Sequence, residues 1–293
     1  MNGKFPALSK VLVISLDCVN AQLLERATRC GQMPTLSALR TRGGTAFTEG
    51  LGLSAEGDWL SLLTGFEPAE HGHIAYDEIV PGTFRSRLTS GARLTKRPIY
   101  ETFDRAGGRT VVLNPVHAGL STLKNGVMVV NFQGHDTGHY IPLQSNPPEL
   151  AVDLDRRYPD DPVNPNDWGT SKMANPVRLL KGKRETLRRK TVVATELLTE
   201  YSWDFAYIGH DECHEMSHLF WHLHDADHPR HGELAELGLD PVQAMLDDMD
   251  SAIGELLDVV PSDCLVIIIS VAGISGNYHW SHLVDPLLNG FEG

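Results

Sequence analysis

No apolar run in this sequence approaches the about 20 residues that a membrane-spanning helix needs, so no membrane partner is expected. Cysteine is scarce. The four that occur, Cys18, Cys30, Cys213 and Cys264, are scattered and form no close pair. That excludes a disulfide framework and fits a reduced compartment. The opening residues, MNGKFPALSKVLVISLD, lack the apolar core and small-residue cleavage site of a secretory signal, and a cytoplasmic protein is the expectation. Basic charge is also in deficit: 25 Lys and Arg stand against 38 Asp and Glu, a formal net charge of −13. A surface of that sign argues against a nucleic-acid polymer or an anionic membrane as partner. A small anionic ligand stays open, because local charges can override the global sign.

What is present reads as one α/β domain over residues 1–293, long enough for a sizeable core. KVLVISLD, residues 10–17, is a continuous apolar strand of the kind buried on both faces of a parallel sheet. A helix follows it. A second opens at Met33-Pro34-Thr35 and stops at Gly43-Gly44, with proline near its start and glycine past its end. Helical patterns recur at 57–64, 98–107, 176–200 and 240–258, and strand patterns at 110–114, 127–132, 203–208 and 264–270, the last (CLVIIIS) read as strongly buried. The alternation predicts a mostly parallel central sheet with helices on both faces. Residues 140–175, rich in Pro, Asn and Asp, read as an irregular insertion or lid within that domain. The basic segment LLKGKRETLRRK (179–190) reads as a solvated helix face, or as a source of cations for an anionic substrate.

Ligands of such sheets bind at the carboxyl ends of the strands. Acids and histidines gather there: Asp17 ends the first strand, and the strand at 203–208 runs into HDECHEMSHLFWHLHDADHPRH, which holds seven of the fourteen histidines. His210, His214, His218 and His222 are spaced by four, the spacing that puts imidazoles on one helix face and lets neighbours share a metal ion. A wet helix face is the plainer alternative. His214-Glu215-Met216-Ser217-His218 is also a literal H-E-x-x-H, with Glu215 as the general base of a zinc protease. His224 stands where the longer protease motif has its third ligand, but Trp221 occupies the position that needs glycine for the turn.

Four ordered segments resemble another family. VLVISLD with LLERATRCGQMPTLSALRTRGG, then DWLSLLTGFEPAEHGH, then KRPIYETFDRAGGRTVVLN, then HLFWHLHDADHP are together similar to the type I phosphodiesterase/nucleotide pyrophosphatase branch of the alkaline phosphatase superfamily. The resemblance implies an alkaline phosphatase-like α/β fold and two metal ions, commonly zinc, around a phosphoryl group. One ion is held by the aspartate after the first strand, the nucleophile and an Asp-His pair in S-D-H-G. The other is held by D-x-x-x-H and a C-terminal histidine.

Carried over residue by residue, Asp17 matches the first aspartate and His218 the histidine of D-x-x-x-H, whose aspartate is replaced by His214. The S-D-H-G segment reads Ser270-Val271-Ala272-Gly273, without its ligands. The nucleophile position falls on Ala55, with Ser54 one residue away. His279 or His282 is available as the C-terminal ligand. The resemblance therefore implies a remodelled, mononuclear, histidine-rich centre for zinc, iron or copper, with two ions as the alternative. Asp17 would be a fourth ligand or a nearby acid. The expected activity is attack by metal-bound hydroxide on a small, phosphorylated or nucleotide-like substrate, with Glu56, Asp58, Asp211 or Glu215 as base. An iron or copper redox enzyme or lyase, an inactive scaffold and the protease are the other readings. Expected partners are the small-molecule substrate and, left open, further copies of the chain. Cys18 is either a reactive thiol near the metal or inert packing. His71 and His73 read as shaping a loop, with His73 as an added ligand in a minor reading. His117, His135 and His139 read as ordinary turns or substrate contacts.

Overall fold

The computed structural model describes residues 10–50, 54–75, 77–88, 94–134, 142–163, 175–276 and 283–291. β1 (Val11–Leu16) is followed by α1 (Ala21–Arg29), α2 (Pro34–Arg42), α3 (Ala55–Thr64) and α4 (Pro68–His71). A small antiparallel ribbon, β2 (Asp77–Ile79) with β3 (Ser86–Leu88), leads to α5 (Ile99–Arg105), β4 (Thr110–Leu113) and β5 (Gly126–Val130). Then come β6 (Gln144–Asn146), α6 (Pro148–Arg157), α7 (Pro176–Glu200), β7 (Phe205–His210), α8 (Glu212–His224), α9 (Pro241–Asp258), β8 (Leu265–Ile269) and α10 (Val284–Phe291).

The main sheet runs β6-β5-β4-β7-β1-β8. Every pairing in it is parallel except β5 with β6. The expected mostly parallel α/β sheet is therefore present. Strand side chains alternate between faces, and here each face has its own core. Leu12, Ile14 and Leu16 of β1, Val111 and Leu113 of β4, and Ala206 and Ile208 of β7 pack with residues of α1, α2, α7, α8 and α9. Val112, Phe205 and Tyr207 pack on the opposite face with Leu60 and Leu63 of α3 and Tyr100 of α5. Burial on both faces is why these strands read as continuous apolar runs.

Local sequence sets the helix starts. Asn20 caps α1 by accepting from Gln22 N at 2.8 Å. Pro34 opens α2, whose preceding Met33 offers no side-chain cap. The buried carboxylate of Asp250 in α9 does so instead, accepting from Thr35 N and Leu36 N at 2.9 Å.

Two expectations are corrected. Within 140–175, part of the described chain is regular: β6 adds an antiparallel edge to the sheet and α6 packs against it. Two of the prolines that suggested a loop, Pro147 and Pro148, sit before and at the first turn of α6, where a missing N–H costs nothing. β8 is not strongly buried: Leu265 and Ile267 are 38% and 39% exposed, because β8 is an edge strand paired with β1 alone among the described strands.

Candidate metal centre

The register of the sheet builds the site. Leu16 of β1 lies opposite His210 of β7, and Asp17 N donates to the His210 carbonyl at 2.8 Å. Asp17 is thus fixed at the end of β1, 2% exposed. α8 starts directly after β7, which brings His214 and, one turn later, His218 over the same sheet end. Asp17 Oδ2 lies 2.7 Å from His214 Nδ1. Its other oxygen, Oδ1, accepts from Trp59 Nε1 of α3 at 2.9 Å. Cys18 follows in a left-handed conformation (φ 57°), uncommon for a residue with a side chain. Its Sγ lies 3.0 Å from His214 Nδ1. The His214 and His218 rings are 4.5 Å apart, tilted by 50°.

Cys18, His214 and His218 form the one group among the described residues whose ligand atoms all lie within 4.8 Å of one another. Zinc bonds of about 2.0 to 2.3 Å allow donors of one ion to stand up to about 4.6 Å apart. A sulfur and two imidazoles at this spacing fit a borderline-soft divalent ion with little adjustment. Asp17 is not part of that group. Its Oδ2 meets the same His214 nitrogen as Cys18 Sγ and so orients that ring. Burial opposes a charge on His214, but the Asp17 and Cys18 hydrogen bonds outweigh it and raise its pKa well above the ordinary imidazole value. Burial raises the Cys18 thiol pKa, with the His214 hydrogen bond pulling the other way.

The four-histidine face does not form as predicted. His210 is the last residue of β7, so only His214 and His218 of that ladder lie together in the site. His222 faces His228, ring centroids 5.9 Å apart. His224 Nδ1 is bonded to Asp240 Oδ2 at 2.7 Å, which ties α8 to the N-cap of α9. His224 does not join His214 and His218 in the metal group, so the third protease ligand of the motif is not in place. Glu215 is 1% exposed and ion-paired with Lys183 of α7, so its carboxylate is spent inside the protein and is not offered as a base. Asp211 is likewise paired with Lys190.

Ser54 is the N-cap of α3: its Oγ accepts from Gly57 N at 2.9 Å and donates to the Ile74 carbonyl. A hydroxyl held this way stabilises the helix start, and Ala55 beside it has no nucleophile. Glu56 and Asp58, half-buried, lie in the first turn of α3. His71 is buried with Nε2 3.0 Å from Ser61 Oγ, a structural role as expected. His73 is buried and is not in the metal group. His117 is half-buried with φ 57°. His135, His139, His279 and His282 lie outside the described residues.

The segment replacing S-D-H-G is used for packing. Ser270 Oγ donates to Val19 O at 2.8 Å, and Asn20 Nδ2 to Ile274 O at 3.1 Å. A Cβ on Gly273 would meet Asn20 Cα at 2.9 Å, so this position admits only glycine without movement.

Sequence reasoning missed two residues. Lys183 and Lys190 lie in the segment read as a solvated face, yet they are 2% and 0% exposed. Lys190 pairs with Asp211 and, at 2.9 Å, with Glu212, which also lies 3.3 Å from His210 Nδ1. Burial opposes the Lys190 charge, but the two acids outweigh it and hold its pKa above the ordinary value. The signal was available: Leu179, Leu180, Lys183, Leu187, Lys190 and Ala194 follow helical spacing and share the buried face of α7. The two lysines clamp the start of α8, and with it His214, against α7.

A family model described as type I phosphodiesterase / nucleotide pyrophosphatase matches residues 11–289. No curated relative matches the sequence. Among solved structures, phosphonoacetate hydrolase from Sinorhizobium meliloti 1021 in complex with phosphonoacetate is similar with a TM-score of 0.60 and 16% identity, over 97% of this chain and 62% of that one. An inactive variant of murine ectonucleotide pyrophosphatase / phosphodiesterase 5 in complex with AMP is similar with a TM-score of 0.53 and 15% identity, over 90% of this chain and 57% of that one. At these identities the likeness is one of fold. The chain spans about three fifths of the length of these structures.

Proposed function

Because the chain belongs to the type I phosphodiesterase / nucleotide pyrophosphatase family, we propose that it is a metal-dependent hydrolase of small phosphoryl or phosphonyl compounds, with one remodelled metal centre at the carboxyl ends of β1 and β7. The observation that carries this reading is the convergence of Asp17, His214 and His218, with Asp17 Oδ2 2.7 Å from His214 Nδ1 and the two rings 4.5 Å apart. Substrate class follows from the family and from the phosphonoacetate and AMP bound to its fold neighbours.

A divalent ion bound there supplies Lewis acidity toward a phosphoryl oxygen and lowers the pKa of a water molecule. The chain's own residues orient it. Asp17 orients the His214 ring through Nδ1, and Trp59 holds Asp17 from the other side. The Ser54 hydroxyl is engaged as a helix cap and Ala55 has none, which supports direct attack by water over a covalent protein intermediate. Glu56, in the first turn of α3, is the carboxylate we assign as proton acceptor, whereas Glu215 and Asp211 are paired with lysines.

The test is metal analysis of protein purified without added metal, combined with hydrolysis of an aryl phosphodiester and of phosphonoacetate. One divalent ion per chain is expected, with turnover lost on chelation and in His218→Ala. Two zinc ions per chain, or turnover abolished in Ser54→Ala, would restore the family's two-metal covalent route.

A further inference from the structure

We infer that Cys18 is a metal ligand, so that the centre is a thiolate–bis-imidazole site built from Cys18, His214 and His218. This rests on the reading above that a metal binds at the β1 and β7 ends, and it changes the identity of the donors.

Three independent features support it. The first is geometry: among the described residues, Cys18 is the one whose donor atom joins those of His214 and His218 within 4.8 Å, and Asp17 does not join them. The second is backbone conformation. Cys18 adopts φ 57° although it is not glycine, an arrangement that costs free energy and persists where the surroundings enforce it. Turning the chain this way at the end of β1 puts two successive side chains, Asp17 and Cys18, on the same imidazole, at 2.7 and 3.0 Å. In an extended strand successive side chains point to opposite faces, so the turn is what delivers the sulfur. The third is division of labour. Both Asp17 oxygens already have partners, Trp59 and His214. A carboxylate with both oxygens so held leaves the third direct donor position to the thiol.

Charge balance agrees. A divalent cation bound by one thiolate and two neutral imidazoles carries one excess positive charge, and the buried Asp17 carboxylate beside it cancels that charge. On binding, the sulfur–hydrogen bond breaks, the proton passes to solvent or buffer, and the sulfur lone pair forms the metal bond. A sulfur donor with two nitrogens suits zinc, and three protein donors leave one position for water or substrate. The neighbouring thiol, Cys213, is also buried but is not in the group, which makes it the internal control.

The experiment uses the full chain loaded with zinc, and separately with cobalt. Zinc-edge X-ray absorption of the wild-type protein is expected to show one sulfur at about 2.3 Å with nitrogens near about 2.0 Å. The cobalt form is expected to show a near-ultraviolet thiolate-to-metal charge-transfer band. Both signals should persist in Cys213→Ser and vanish in Cys18→Ser, with zinc affinity reduced at least about tenfold, the least that loss of an outer partner alone costs. A shell of only nitrogen and oxygen around a bound ion overturns the role of Cys18 and leaves the metal centre standing. A wild-type chain that binds neither zinc nor cobalt overturns both. Because the absorption and charge-transfer measurements are made on the wild-type chain, poor folding of Cys18→Ser would leave the inference testable.

Discussion

Asp17 and His214 stand 197 positions apart in the chain and meet at 2.7 Å. The parallel pairing of β1 with β7 puts Leu16 beside His210. The next residue of one strand and the first turn after the other then face each other across the sheet end. Trp59 binds the second oxygen of Asp17 at 2.9 Å, so β1, α3 and α8 converge on a single carboxylate. Replacing it leaves two donors without an acceptor. Asp17→Ala is therefore expected to lower unfolding free energy by about 1 to 3 kcal/mol, the penalty for orphaned buried polar groups. It should also weaken metal binding by about 10- to 100-fold, as lost histidine-orienting partners do. Urea unfolding and a competitive zinc titration measure the two effects separately.

Ser54 separates a helix cap from a nucleophile. Its Oγ accepts from Gly57 N at 2.9 Å and donates to the Ile74 carbonyl. Ser54→Ala is expected to cost about 0.5 to 2 kcal/mol of stability, the range for lost N-caps, while kcat/KM for an aryl phosphodiester changes by only a few-fold. A rate that collapses with the fold intact would make the hydroxyl the nucleophile.

The parallel strands of the main sheet and the helices α1, α2, α3, α5, α7, α8 and α9 were legible in the sequence because they depend on patterns within a segment: apolar runs, helical spacing, prolines and caps; β6, α4, α6 and α10 were not. The site was legible in part. Asp17, His214 and His218 carried a recognisable order of segments, whereas the local four-residue spacing overreached, since it could not show that His210 belongs to the strand before the helix. H-E-x-x-H misled for the same reason: nothing in five residues reports that Glu215 meets Lys183 from another helix. Cys18 depended on a left-handed backbone turn that no residue type announces. β8 looked buried because its composition is apolar, and only the strand order shows that it lies at an edge.

The buried pair Lys183–Glu215 yields a prediction about stability that is independent of catalysis. The two side chains are 3% and 1% exposed. Removing one partner leaves a charge in the interior, so Lys183→Met and Glu215→Leu are each expected to destabilise by about 3 to 5 kcal/mol. The double variant should recover most of that loss, because an apolar pair of similar volume needs no compensation. A double-mutant cycle in urea measures the coupling. Peptidase activity that depends on Glu215 would contradict its placement as a structural partner.

At the opposite ends of the strands, Arg109 grips Asp204 through Nε at 3.0 Å and a terminal nitrogen at 2.6 Å. Those hydrogen bonds lower the Asp204 pKa from 3.8 to about 2. A carboxylate whose folded pKa lies below its unfolded value adds stability above the unfolded pKa and loses it as pH falls through the folded one. The Asp204 contribution is therefore expected in full above about pH 4 and is lost toward pH 2. With the side chains 50% and 36% exposed, solvent screening limits the contribution to about 0.5 to 1 kcal/mol. Asp204→Asn should lower stability by that amount at pH 7 and by progressively less as pH falls from about 4 to below about 2, as read from urea midpoints across the range.

Metal removal tests the centre through folding alone. A ligand that binds the folded chain and not the unfolded one adds about 2.7 kcal/mol at a free concentration 100 times its Kd. Zinc is therefore expected to raise the melting temperature of the wild-type chain in a concentration-dependent way, and excess chelator to reverse the shift. Protons compete for the same imidazole and thiol donors, so the stabilisation must shrink as pH falls. In His218→Ala the zinc-dependent shift should disappear while the zinc-free melting temperature changes much less, because His218 is exposed; in His214→Ala the shift should disappear too, but the zinc-free melting temperature should also fall, because the buried Asp17 carboxylate loses a partner. A zinc shift of unchanged size in both variants would place the ion elsewhere in the protein, and differential scanning calorimetry at several zinc concentrations decides between these outcomes.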